Sequence, residues 1–168
     1  MGEQGSNRAT AGFAPARRDG MDPAGAGERT ALVCVAKDIK GKVTESLTSV
    51  GYNVTVADTT SEAVDAMRFH LYDVVVLDEM FGAASAEENE VLRFISRQNM
   101  STRRRFFVAM TGNNFTTMDN MAAFNKSVNL VVNTDDAAGI GEAVRQGVAD
   151  NASFYHVFNE TLHKLGKI

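Results

Sequence analysis

After the first thirty residues, short apolar runs alternate with segments whose apolar residues recur every three or four positions. The run from Asp73 to Asp78 is rich in β-branched residues, which is typical of a buried strand. Elsewhere the helical spacing is clear, as in Ile39, Val43 and Leu47, and Asp38 stands where it can cap that helix. The pattern therefore predicts a chain that alternates strands and helices.

Five such strand–helix units follow one another. The predicted strands cover residues 31–36, 52–56, 73–78, 106–110 and 130–132, and the predicted helices cover 38–50, 59–71, 86–98, 115–124 and 135–148. This alternation implies a parallel sheet with helices on both faces. Five strands in one domain of this size favour a doubly wound, flavodoxin-like α/β fold with strand order 2-1-3-4-5. In that order the carboxyl ends of strands 1 and 3 meet, and functional sites usually lie there.

The apolar pattern continues past the fifth unit. The segment 150–168 carries large apolar residues at helical spacing, namely Phe154, Tyr155, Phe158, Leu162 and Leu165. It is either the end of a longer last helix or a sixth helix. Its apolar face either packs on its own domain or forms a dimer or partner surface. We therefore predict a domain at 31–149 with a C-terminal helical extension at 150–168.

The first thirty residues have a different composition. Residues 1–30 contain both prolines, six of the 14 glycines, and no Val, Ile or Leu. Their four arginines are balanced by four acidic residues. Such a segment buries too little apolar surface to offset the entropy of ordering it, so we predict a flexible tail. It has no apolar stretch of the kind that a secretory signal needs.

Composition and charge exclude several classes of function. The chain has 168 residues, a formal net charge of −4 and a single cysteine. One cysteine forms no internal disulfide, and with three histidines it makes no zinc array. The mild acidity gives no electrostatic reason for nucleic-acid binding, and no stretch of 18 apolar residues predicts a membrane span. We expect a cytoplasmic protein without nucleic-acid or membrane partners.

Two segments carry a family resemblance that extends over about residues 31–149. The sequence from Asp73 to Asp78, followed by Glu79 and Met80, closely resembles the third strand of the response-regulator receiver domain. The segment Val108–Gly112 is similar to the fourth strand of that family, which ends in Ser or Thr followed by a small residue. The resemblance implies that Asp78 is the phosphoacceptor candidate, receiving a phosphoryl group from a partner histidine kinase.

The resemblance also implies a set of residues around that aspartate, from which this sequence departs. The family has two acidic residues after strand 1 that help to hold Mg²⁺, but Ala36 and Lys37 stand there and only Asp38 remains nearby. The family has a lysine after strand 5 that pairs with the phosphoryl group, but Asn133 stands there. Leu130 occupies the position of the family's aromatic switch residue.

The functional positions that match are Asp78 and Thr111. Asp38 and Asp78 together form at most a weak Mg²⁺ site, because that ion prefers several oxygen ligands. Lys37 adds a positive charge where the metal would lie, so we expect it to pair with Asp78. These losses favour a pseudo-receiver: a module, not an enzyme, that binds a protein partner without being phosphorylated.

Two alternatives stay open for the function. One is a working phosphoacceptor at Asp78 with an atypical metal site. The other is a small-molecule-binding domain of flavodoxin-like fold, which is weakened because the sequence lacks the glycine-rich nucleotide-binding motifs and the nucleophile elbow. The expected partner is a histidine kinase or a downstream signalling protein, with a homodimer through the last helices as a further option. No cofactor other than weakly held Mg²⁺ is expected.

Overall fold

The computed structural model describes residues 27–166, so most of the predicted N-terminal tail lies outside the described residues. The strands are β1 (Arg29–Cys34), β2 (Tyr52–Val56), β3 (Val74–Asp78), β4 (Phe107–Gly112) and β5 (Leu130–Asn133). The helices are α1 (Lys37–Ser49), α2 (Thr60–Phe69), α3 (Glu90–Ser96), α4 (Met100–Arg103), α5 (Asn120–Lys126) and α6 (Ile140–Lys164). Two 3₁₀ segments cover Ala86–Glu88 and Thr134–Gly139.

The five strands form one parallel sheet in the order β2-β1-β3-β4-β5, which confirms the predicted fold class and strand order. The strands are apolar on both sides because each side of the sheet is covered. Alternate strand residues such as Val33 and Val76 enter a core with α1 and α6, and their neighbours Leu32 and Val75 enter a second core on the opposite side. Because helices cover both faces of the sheet, the edges at which the strands begin and end are the parts of the sheet that the helices do not cover.

Several element boundaries differ from the predictions, for reasons visible in the hydrogen bonds. The predicted cap Asp38 is wrong: Ala36 is the N-cap residue of α1, and Asp38 lies inside the first turn. The predicted helix 86–98 begins only at Glu90, because the side chain of Asn89 caps α3 by accepting from the backbone N–H of Leu92 at 3.1 Å. At α3, a capping side chain therefore fixes the start of the helix more closely than apolar spacing does, whereas α1 begins without a side-chain cap.

The predicted helix 115–124 is also shorter in the structure. Met118 has a φ of 67° and donates its backbone N–H to the carbonyl of Val131 at 2.9 Å. This hydrogen bond holds the preceding loop along β5, and α5 begins only after Asp119, whose side chain accepts from two backbone N–H groups. Residues predicted to be the first half of a helix thus form an irregular loop at the carboxyl edge of the sheet.

The C-terminal extension is the second half of α6, a single helix of 25 residues. Its first half is anchored on the sheet, with Ile140 and Val144 fully buried. Its second half exposes apolar side chains, among them Phe154 at 77% and Val157 at 67%. Tyr155 and Leu162 are half-buried, and the Phe158 ring lies 5.1 Å from the guanidinium carbon of Arg104. The extension therefore buries only part of its apolar residues within the described part of the domain. Between residues 27 and 166, none of the helices combines the length and the apolar character needed to cross a membrane.

Candidate functional site

Asp78 and Thr111 lie side by side at the carboxyl edge of the sheet. They are register partners on β3 and β4, and the Thr111 hydroxyl donates to Oδ2 of Asp78 at 2.9 Å. Thr111 is fully buried, whereas Asp78 is partly exposed. The other carboxylate oxygen of Asp78, Oδ1, accepts the backbone N–H of Met80 at 2.9 Å. Both oxygens of this carboxylate are therefore held by donors from the protein itself.

Asn89 organises the loop that follows Asp78. Its side chain is 1% exposed, and Nδ2 donates to the carbonyl oxygens of Asp78 and Glu79, each at 3.1 Å. Its Oδ1 simultaneously caps α3. One amide therefore ties the end of β3 to the start of α3. Sequence analysis missed this residue, because an asparagine eleven positions from Asp78 carries no local signal of such a contact.

The ion pair expected between Lys37 and Asp78 is not formed in the described part of the chain. No ion pair between residues of the described segment 27–166 joins these two side chains. A hydrogen bond from Lys40 holds the pKa of Asp58 below its usual value, the charge of Lys40 adds to this effect, and the charge of Lys37 contributes more weakly. Within residues 27–166, Asp78 therefore has no counter-charge from Lys37 in an ion pair.

Asn133 lies at the carboxyl edge, but its side chain faces the β4–α5 loop. Nδ2 donates to the carbonyl of Phe115 at 2.7 Å and to that of Asn113 at 3.3 Å. Oδ1 accepts the backbone N–H of Asp135 at 2.9 Å, which caps the following 3₁₀ segment. The three hydrogen bonds commit this amide to loop structure, so it does not replace a cation beside Asp78.

A partly buried ion pair that the sequence did not reveal lies next to Asp78. Nζ of Lys126, the last residue of α5, is 3.1 Å from Oε1 of Glu79. Glu79 is the residue immediately after Asp78, and its backbone N–H donates to the carbonyl of Thr111 at 2.8 Å. This ion pair places the Lys126 cation beside the residue that follows the phosphoacceptor candidate Asp78. The cation is paired with Glu79 and not with Asp78.

The residues present do not fit the weak Mg²⁺ site expected from Asp38 and Asp78. Asp38 is exposed in the first turn of α1, and Ala36 and Lys37 supply no carboxylate. Within residues 27–166 no group of three or more His, Cys, Asp or Glu side chains is placed to hold a metal ion. Mg²⁺ needs a near-octahedral set of oxygen ligands. Asp78, with both oxygens already hydrogen-bonded, supplies too little of that set.

The residue at the switch position is buried. Leu130, at the position of the family's switch residue, is 5% exposed and packs in the core formed with α1 and α6.

A cavity of about 30 Å³ lies near the opposite edge of the sheet, between Tyr72, Phe94 and Phe106. That volume holds about one water molecule. It is not part of the edge where Asp78 lies.

Comparisons with known proteins identify the fold. No protein-family model matches the chain, and no curated protein matches it in sequence. In fold, the chain is similar to the receiver domain of a Francisella response regulator, with 14% identity and a TM-score of 0.56 over 74% of this chain and 98% of that one. It is equally similar to a CheY-like response-regulator receiver domain from Methanospirillum hungatei, with 12% identity and a TM-score of 0.56 over 75% and 97% of the two chains.

A third similar structure is the receiver domain of a sensor histidine kinase from Pseudomonas aeruginosa. It has 17% identity and a TM-score of 0.56, and the match covers 73% of this chain and 99% of that one. That receiver domain was solved with a magnesium ion coordinated in its active-site cleft. Whole receiver domains therefore superimpose on this chain, and the chain has the receiver-domain fold.

Proposed function

We propose that this chain is a two-component-type signalling module whose receiver fold binds a protein partner without phosphorylation of Asp78. The observation that carries the proposal is the way the carboxyl edge is filled. Both oxygens of Asp78 are bonded within the protein, Asn133 holds a loop, and no ion pair within residues 27–166 joins Lys37 to Asp78. The proposed role is that of an interaction module in the cytoplasm, not of an enzyme.

The transferred phosphoryl group is negatively charged. Phosphoryl transfer depends on cations that neutralise the phosphoryl oxygens and on a metal that bridges donor and acceptor. Asp78 takes part in none of the ion pairs found within residues 27–166. A phosphoryl group on Asp78 would meet the Thr111 hydroxyl, whereas no Lys or Arg within residues 27–166 forms an ion pair with Asp78. We therefore expect the transfer to be slow or absent.

The proposed partner surface is the exposed side of α5 and the loop before it. Met118, Met121 and Phe124 are 44%, 67% and 77% exposed, although their types are those of core residues. Apolar side chains grouped on one short helix are typical of a protein contact. A histidine kinase or a downstream signalling protein is the class of partner that the receiver fold suggests.

Incubation with acetyl phosphate and Mg²⁺, followed by intact-mass measurement, tests the proposal. We expect no added phosphoryl mass in the wild-type chain. The matched variant carries Ala36→Asp, Lys37→Asp and Asn133→Lys, which restores the acids and the lysine of the family pattern, and it should become modified. Rapid stoichiometric modification of the wild type that disappears in Asp78→Asn would contradict the proposal and favour the working phosphoacceptor.

The second half of α6 supports a further proposal, self-association with a second copy of the chain. Phe154, Phe158, Thr161 and Leu165 recur at spacings of four, three and four, as in the a and d positions of a coiled coil. The three apolar members, Phe154, Phe158 and Leu165, are 77%, 41% and 65% exposed. The charged or titratable residues His156 and Glu160 lie off this seam, so like charges do not meet in a parallel pair. Light scattering should give the mass of a dimer for the wild type and of a monomer for Phe154→Asp with Leu165→Asp. A monomeric wild type at high concentration would refute the proposed self-association. His163→Asp, on the opposite face of the helix, is the control and should remain a dimer.

The cavity between Tyr72, Phe94 and Phe106 gives little support to the small-molecule alternative. Ligand sites typically enclose several hundred Å³, whereas the cavity beside Phe94 encloses about 30 Å³. An absorbance spectrum of the purified protein that shows a bound flavin or nucleotide would revive this alternative.

A further inference from the structure

The ion pair between Glu79 and Lys126 is more enclosed than the other ion pairs between described residues. The side chains of Lys126 and Glu79 are 29% and 19% exposed. By comparison, the side chains of Arg145 and Glu142, which pair on the surface of α6, are 57% and 63% exposed. Surface pairs of the second kind contribute little, because water and salt screen them. The Glu79 pair is screened less, so it restrains its two elements more strongly.

The backbone of Glu79 is held from two directions. Its backbone N–H bonds to the carbonyl of Thr111, and its own carbonyl accepts from Asn89. A Cβ placed on Gly112 would lie 2.8 Å from Oε2 of Glu79 and 2.8 Å from the ring of Phe115. Only a glycine at position 112 leaves this space for the Glu79 side chain. The backbone that carries the Glu79 side chain is therefore fixed by bonds that do not involve Lys126, and Gly112 leaves room for the carboxylate.

The helix that carries Lys126 has few means of its own to stay in place. α5 has seven residues, and an isolated helix of that length is not stable in water. Ala123 is its buried residue, and Met121 and Phe124 on the same helix face solvent. The apolar contact of Ala123, the Asp119 cap and the Met118–Val131 hydrogen bond hold the start and middle of α5. At its C-terminal end the ion pair of Lys126 acts together with the bond from Arg103 to the carbonyl of Ser127 at 3.1 Å.

We propose that the Glu79–Lys126 ion pair holds α5, and with it the partner surface of Met121 and Phe124, in one fixed position that does not depend on the state of Asp78. This inference rests on the proposed function of that surface. The hydrogen bonds of the Asp78 side chain go to Thr111 and Met80 and do not reach α5. The contact from the end of β3 to α5 is made by the next residue, Glu79.

Amide hydrogen exchange measured residue by residue tests the role of the pair. Glu79→Gln keeps the shape of the side chain and removes its charge, and Lys126→Met keeps the aliphatic stem and removes the cation. Each should speed exchange across residues 120–126 by about tenfold, as expected for the loss of a partly buried pair. Amides of β1 and α1 should keep their wild-type rates. Uniform acceleration throughout the domain would overturn the proposal.

Three controls make the result specific. Glu142→Gln, which breaks the exposed pair on α6, should leave exchange in α5 unchanged. The double variant Glu79→Gln with Lys126→Met should behave like either single variant, because both remove the same interaction; additive effects would contradict the pairing. Asp78→Asn should leave amide exchange in α5 unchanged. If Asp78→Asn speeds exchange in α5 and Glu79→Gln does not, the inference is wrong. Intact mass after acetyl phosphate treatment reports the proposed function separately, so either idea can fail alone.

Discussion

Replacing Asn89 with alanine removes three hydrogen bonds at a buried junction. The side-chain amide donates to the carbonyl oxygens of Asp78 and Glu79, and its oxygen caps α3 through the N–H of Leu92. The loss of a helix cap costs about 1 kcal/mol, and each buried carbonyl left without its donor costs about 1 kcal/mol more. The Asp78 carbonyl keeps a second donor, the N–H of Phe81 at 3.1 Å. The expected loss of unfolding free energy is therefore about 2–3 kcal/mol.

Urea denaturation followed by circular dichroism measures this loss, with an unchanged dependence of the unfolding free energy on urea. Asn99→Ala is the matched control. Asn99 also caps a helix, accepting from the N–H of Thr102 at 2.9 Å, but it is exposed and bonds no distant carbonyl. Its replacement should cost about 1 kcal/mol or less. If Asn89→Ala costs no more than Asn99→Ala, the buried bonds to the β3 loop do not stabilise the protein as argued.

Three further changes have opposite or pH-dependent outcomes. Gly141→Ala should destabilise the protein by about 1–3 kcal/mol in urea denaturation, because the new Cβ would lie 2.2 Å from the carbonyl oxygen of Ser46. Gly41→Ala, inside α1 with nothing within 4 Å of the new Cβ, should instead stabilise it by about 0.5–1 kcal/mol. Burial raises the pKa of the Cys34 thiol from 9.0 to about 12. The unfolded chain therefore releases that proton first, and stability should fall between pH 9 and pH 12. Urea midpoints should fall more steeply with pH in the wild type than in Cys34→Ala.

The sheet was predictable because its strands are covered on both sides. Such strands are short, continuous apolar runs, as in Val74–Asp78, and helices between them leave few possible connections. The starts of the helices were less predictable. Asn89, Asn99 and Asp119 are all N-cap residues, but the sequence contains many Asn and Asp residues, and only the hydrogen bonds show which of them cap.

The candidate site shows the limit more clearly. β1 has β2 on one side and β3 on the other, so a lysine after β1 can turn towards either neighbour. The sequence suggested Asp78, but no ion pair within residues 27–166 joins the two side chains, and Lys37 contributes weakly to the lowered pKa of Asp58 at the end of β2. Glu79 and Lys126 are far apart in the sequence and belong to no motif. Long polar side chains choose partners by tertiary geometry, which neither spacing nor composition encodes.

The two apolar faces of the sheet raise a question of strand alignment. Sliding a strand by one residue exchanges its two faces, and here both faces are apolar, so hydrophobicity alone penalises such a slip weakly. Polar side chains supply the missing discrimination. At the start of β3, Asp73 accepts from the backbone N–H of Thr30 at 2.8 Å, and at its end Asp78 accepts from Thr111 at 2.9 Å. These two bonds lock β3 to β1 and to β4. The hydrogen bond between Asp78 and Thr111 thus helps to set the register of β3 against β4. This structural role of the two residues is independent of phosphoryl chemistry.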